Sequence, residues 1–168
     1  MELSDKEVTK IAQTVGLGTI IYNDLRQDPL RDINFDWERS LDLKHGLPYV
    51  LYTCVRIGSI LKELGNFKID INDGHLLKLD ETYEVEYKLV LKLSFFPKII
   101  EDCILNTSVV LLAIYVEELA QLFNSFYESV SIRGGKTEYF SSRVRLIKSV
   151  YQVIQNALNI LNIGVPER

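Results

Sequence analysis

Tyr49, Thr53 and Arg56 follow one another at steps of four and three, so on a helix an aromatic ring, a hydroxyl and a cation share one strip. Val50, Cys54, Ile57, Leu61 and Leu64 keep the neighbouring strip apolar, which assigns that strip to packing and the first to binding. Further on, Tyr127 closes the run Phe123-Asn124-Ser125-Phe126-Tyr127, off the main apolar stripe of its own helix. Single-stranded RNA is read by splaying bases onto such rings, each stacked base contributing about 1–3 kcal/mol. Arg133, Lys136, Arg143 and Arg145 add cations of the kind that pair with a polyanion.

Other chemistries fit less well. Gly134-Gly135-Lys136-Thr137 has the end of a phosphate-binding loop, but Val130 stands where the motif needs another glycine, and a helix rather than a strand precedes it. It reads as a turn between helices. The acid pairs Glu117-Glu118, Glu101-Asp102 and Glu84 with Glu86 read as solvated helix faces with no nucleophile beside them, so no catalytic residue is expected. His45 and His75 lie far apart with no cysteine at zinc-like spacing, and no metal is expected. Cys54 and Cys103 sit in apolar helical patterns as buried, reduced thiols. No pattern for a bound cofactor is present.

The elements that must position these groups are helical throughout. Ser4-Asp5-Lys6-Glu7 is a capping box, predicting a first helix to about Val15; Gly16 and Gly18 are expected to break it before a short second helix over 19–26. Asp36 caps a short turn through Trp37, and Pro48 opens a long helix that stops near Gly65. Residues 66–79, with weak periodicity and Asn72-Asp73-Gly74, read as a loop. A helix from Asp80 carries Glu81, Glu84 and Glu86 in its early turns, with Tyr83, Tyr87, Val90, Leu91 and Phe95 as its apolar side. Pro97 marks a kink or break before a segment over 98–105. Thr107 or Ser108 caps the next helix, with Leu111, Leu112, Tyr115, Leu119, Leu122, Phe123 and Phe126 apolar. The last and clearest helix spaces Phe140, Val144, Ile147, Tyr151, Ile154, Leu158 and Leu161 by four and three. The expected fold is an all-α bundle, one unit over 1–168.

Charge is unevenly placed. The net charge is −4, yet from Ser129 onward six cations face two anions, a local +4 that leaves −8 on the first 128 residues. One basic face on an acidic body is the expectation. No run approaches the length of a membrane span, and Met1-Glu2-Leu3-Ser4-Asp5-Lys6 lacks the apolar core of a signal peptide, which makes a cytoplasmic location the expectation.

A resemblance covers nearly the whole chain. Val15-Gly16-Leu17-Gly18 with Tyr22, Asp24 and Leu25, then Phe35-Asp36-Trp37-Glu38-Arg39, Pro48-Tyr49 to Arg56-Ile57, Glu118-Leu119-Ala120, Phe123-Asn124-Ser125-Phe126-Tyr127, Arg143, Arg145-Leu146 and the closing Ile163-Gly164-Val165-Pro166-Glu167-Arg168 stand in the order and near spacing of one family. The chain resembles the helical DALR anticodon-binding domain of arginyl-tRNA synthetase. The resemblance implies an α-helical bundle of class I synthetases that grips the anticodon stem and loop. The parent enzyme would ligate arginine to its tRNA with ATP in a catalytic domain whose signatures this chain lacks. The partners implied are the tRNA for arginine and that catalytic domain, with residues 1–28 as the joint towards it. In the family's pattern the base contacts fall on Tyr49, Thr53 and Tyr127, with Arg56 on the same strip. Arg133, Lys136, Arg143 and Arg145 are then expected on phosphates. The family often carries glutamine where Leu51 stands, and an aromatic or histidine where Cys54 stands.

Two readings follow. The first is a domain cut from, or encoded beside, an arginine–tRNA ligase and inactive by itself. The alternative is a free-standing helical module that keeps the fold and binds a protein or another RNA.

Overall fold

The structure, a computed structural model, describes residues 4–28, 32, 36–40, 42–65, 84–130 and 139–166, without the side chains of Trp37 and Arg39. The loop expected over 66–79, the turn at Gly134-Gly135 and the cations Arg133 and Lys136 lie outside them. The described residues form seven helices in chain order: α1 (Asp5–Leu25), α2 (Trp37–Ser40), α3 (Gly46–Leu64), α4 (Glu84–Ser94), α5 (Phe96–Leu105), α6 (Val110–Ser129) and α7 (Phe140–Ile160). The all-α expectation holds. No described helix is long and apolar enough to cross a membrane.

At the start of α1 the capping box forms: the Ser4 N–H donates to the Glu7 carboxylate at 2.9 Å, and the Ser4 hydroxyl accepts from the Glu7 N–H at 3.4 Å. The helix then runs on through Gly16 and Gly18 without the expected break. Glycine costs a helix only about 1 kcal/mol, and at position 18 its lack of a side chain is used. A Cβ there would lie 2.8 Å from Leu47 Cδ2 and 3.3 Å from Ile163 Cγ2, so α3 and the chain end press directly against the α1 backbone. At the far end, the buried Tyr22 hydroxyl donates to the Ala113 carbonyl at 2.6 Å. Burial, reinforced by the Glu117 carboxylate nearby, pushes that phenol well above its ordinary range.

Glu117 is the polar anchor where α1, α3 and α6 meet. Its carboxylate pairs with Arg26 at 3.0 Å and accepts the Gly46 N–H at 3.1 Å. Gly46 has φ +64°, a left-handed backbone that a side chain would strain, and it opens α3 two residues ahead of Pro48. Proline is tolerated there because the first-turn N–H groups have no helical acceptor.

α3, α6 and α7 pack against one another; α1 lies on α3, while α4 and α5 lie on α6. The predicted stripe on α3 is buried at Val50, Cys54, Ile57 and Leu64, but so are Leu47, Leu51, Thr53 and Ile60. A helix with neighbours on three sides hides more than one stripe. α7 keeps its pattern, with Val144, Ile147, Ile154, Leu158 and Leu161 buried.

α4 is turned otherwise than expected. Tyr87, Leu91 and Phe95 are exposed, Tyr83 lies outside the described residues, and only Val90 of the expected side packs against the core, beside the buried Glu86 and Leu89. The reason lies across the bundle, where the Glu86 carboxylate meets the Arg143 guanidinium. α4 ends at Ser94, and Pro97 sits in the first turn of α5, the expected break. Thr107 adopts φ +50° while the Ser108 hydroxyl accepts the Val110 N–H at 3.4 Å, so Ser108 serves the start of α6.

Candidate nucleic-acid interface

The strip read on α3 meets the end of α6. Asn124, one turn before Tyr127, stands between them and is buried. Arginine has only donors, so when the Arg56 Nη1 donates at 3.0 Å it must find the amide oxygen of Asn124. The amide nitrogen therefore faces the other way, donating to the Tyr49 hydroxyl at 2.9 Å, the Thr53 hydroxyl at 2.9 Å and the Ala120 carbonyl at 3.1 Å. Two protons are shared among three acceptors. The Thr53 hydroxyl passes its own proton to the Tyr49 carbonyl at 2.9 Å.

The Arg56 guanidinium also lies over the Tyr127 ring, 4.3 Å from its centroid, and Tyr127 stacks against Phe123 with centroids 6.2 Å apart. An arginine plane held on an aromatic face keeps its charge while its position is fixed. Tyr49 and Tyr127 are both half-buried. The expectation of an uncovered ring at Tyr127 is thus corrected: one face already carries Arg56. A base can use that ring's remaining surface, or stack on the guanidinium plane itself.

Thr53 needs a second correction. It is 0% exposed and its hydroxyl is engaged on both sides, so it holds Tyr49 and Asn124 and offers no surface to a base.

Arg143 needs a third. Its Nε donates to the Glu86 carboxylate at 2.6 Å, the two side chains being 11% and 2% exposed, and the Tyr139 ring lies 6.0 Å from the guanidinium. A charge so enclosed is matched inside the protein and is withdrawn from phosphates. Arg145 and Lys148, on the same helix, are exposed. The structure therefore brings together Tyr49, Thr53, Arg56 and Tyr127, and leaves Arg143 and Arg145 on α7 outside that cluster. Reading residues by type passed over Asn124. Its signal was a polar residue three positions before Tyr127, between the buried Phe123 and Phe126.

What these residues define is a class: an all-helical domain with an aromatic and cationic cluster along one helix pair. The DALR anticodon binding domain, as a family sequence model, matches residues 50–168, and the chain belongs to that family. It is 33% identical over 168 residues to the arginine–tRNA ligase of Methanopyrus kandleri, covering 99% of this chain and 28% of that one. To the arginine–tRNA ligase of Pyrococcus abyssi it is 36% identical over 169 residues, covering 99% and 27%. In fold it is similar to the Thermus thermophilus arginyl-tRNA synthetase, with a TM-score of 0.83 at 24% identity over 99% of this chain and 28% of that one. The arginyl-tRNA synthetase of Plasmodium falciparum gives a TM-score of 0.78 at 26% identity, covering 95% and 28%. The chain thus spans a little over a quarter of the length of these relatives.

Proposed function

We propose that this chain recognises the anticodon stem and loop of the tRNA for arginine as part of an arginine–tRNA ligase. The ligation of arginine to tRNA with ATP would then take place in a catalytic domain outside these residues, and this chain alone would not aminoacylate. The observation that carries the reading is the cluster in which Arg56 lies over Tyr127 and is tied through Asn124 to Tyr49. It offers unpaired bases a ring, a guanidinium plane and a phenol within one patch, which is the chemistry single-stranded RNA requires. Arg145 and Lys148 are the exposed cations assigned to phosphates, with Arg133 and Lys136 added on sequence grounds. Residues 1–28 make the joint to the catalytic domain, a role supported by the exposed Leu17 and Ile20 on α1. The location is the cytoplasm, where the ligase would meet its tRNA.

A gel shift of the purified chain with arginine tRNA and an anticodon-changed copy, at low and moderate salt, tests this. Tighter binding of the authentic tRNA is expected at both. Equal binding of the two copies would sink the anticodon reading and favour a module for another RNA.

A further inference from the structure

Within the anticodon reading, on which it rests, we infer that Asn124 is a positioning residue that fixes the Tyr49 hydroxyl as a hydrogen-bond donor towards an acceptor atom of an unpaired base. The inference follows a chain of proton directions. Arg56 can only donate, so the Asn124 oxygen must face it at 3.0 Å. The Asn124 nitrogen then faces Tyr49 and donates to its oxygen at 2.9 Å. A phenol oxygen that accepts from inside the protein keeps its own proton for a partner elsewhere. Thr53 reinforces the direction, since its own proton goes to the Tyr49 carbonyl and its oxygen also accepts from Asn124. The Asn124 amide cannot flip without leaving Arg56 facing a donor, and in either orientation of the hydroxyls the amide nitrogen offers Tyr49 no acceptor.

The consequence is selectivity by polarity. Tyr49 would prefer a base edge presenting a carbonyl oxygen or an unprotonated ring nitrogen, and would disfavour an exocyclic amine at the same place. Arg56 does two things at once: it supplies the plane over Tyr127 and, through Asn124, sets the direction of the Tyr49 proton.

Asn124→Asp is the informative change because it is nearly isosteric and inverts the polarity. A carboxylate there accepts from Arg56 and from Tyr49, drawing the phenol proton inward. Binding of a fluorescent arginine-tRNA anticodon stem-loop to the purified chain would be measured for wild type, Asn124→Asp, Tyr49→Phe and the double variant, with thermal melts of each. Tyr49→Phe should weaken binding about fivefold, the value of one modest hydrogen bond. Asn124→Asp should weaken it at least as much, and the double variant should be no weaker than Asn124→Asp alone; both aspartate forms should melt lower than wild type, because a carboxylate cannot donate to the Ala120 carbonyl or the Thr53 oxygen, while staying folded at the binding temperature. Losses that multiply across the two sites, or an Asn124→Asp protein that binds like wild type, would overturn the inference while leaving the anticodon reading in place. Asn124→Leu, which keeps volume and removes all polarity, guards against poor folding of the aspartate form. It should reduce the Tyr49→Phe effect, because the phenol is no longer held in one direction, and a full fivefold effect remaining in the leucine background would overturn the inference too. Wild type indifferent to the anticodon would overturn both readings together.

Discussion

Replacing Arg143 distinguishes a phosphate contact from an internal ion pair. The perturbations are Arg143→Met and, from the other side, Glu86→Gln. The Glu86 carboxylate is 2% exposed and the Arg143 guanidinium 11%, with Nε and Oε1 2.6 Å apart. Removing one partner of a buried pair costs about 3–5 kcal/mol, most of it from the charge left without a match. Because Arg143 keeps a little access to water, Glu86→Gln should fall near the lower end, about 3 kcal/mol. For a domain of this size that is a fall in Tm of roughly 6–12 °C. Urea unfolding followed by circular dichroism reads the stability, and the salt dependence of RNA binding reads the contacts. Both single variants should lose stability and leave the log–log salt slope unchanged, whereas a true phosphate contact contributes about −0.7 to that slope. Glu86→Leu with Arg143→Met should recover much of the loss, because two matched apolar groups replace two matched charges. An Arg143→Met protein of wild-type stability whose slope flattens by about 0.7 would refute the reasoning.

Two further outcomes follow from α1 and α3. Gly16→Ala should stabilise the chain by about 0.5–1 kcal/mol, since no atom lies within 4 Å of the added methyl and alanine favours the helix. Gly18→Ala, two residues on, should destabilise it by about 1–3 kcal/mol because its methyl meets Leu47 at 2.8 Å; parallel urea melts compare the two, and equal effects would contradict the close approach. The Cys54 thiol, fully buried, is pushed up from 9.0 to about 12 by loss of solvation. Below the ordinary thiol range its contribution to stability is fully present, and between pH 9 and 12 only the unfolded chain ionises there, so stability is lost as pH rises. At pH 10 the loss from this group is on the order of 1 kcal/mol, and Cys54→Ala should show a correspondingly flatter decline from pH 8 to 10 in denaturant midpoints. An unchanged decline would mean the thiol is not held neutral.

The sequence alone determined the helical class, the capping box at Ser4, the end of α3 at Gly65, the break at Pro97 and the course of α7. Each of these rests on spacing and backbone preferences that act within a few residues of one another. It also placed Tyr49, Thr53 and Arg56 on one strip, because helical geometry requires it. What it could not determine was which helix lies opposite. Arg143 looked like a surface cation until α4 placed Glu86 beside it, and that same pairing turned Tyr87, Leu91 and Phe95 outward. Thr53 looked like a contact until α6 covered it, and Gly18 like a helix breaker until Leu47 was found against its backbone. Asn124 gained meaning only where α3 and α6 meet. A charge or a hydroxyl is defined by its partner, and in this chain those partners stand as many as 95 residues away, brought near by packing rather than by sequence.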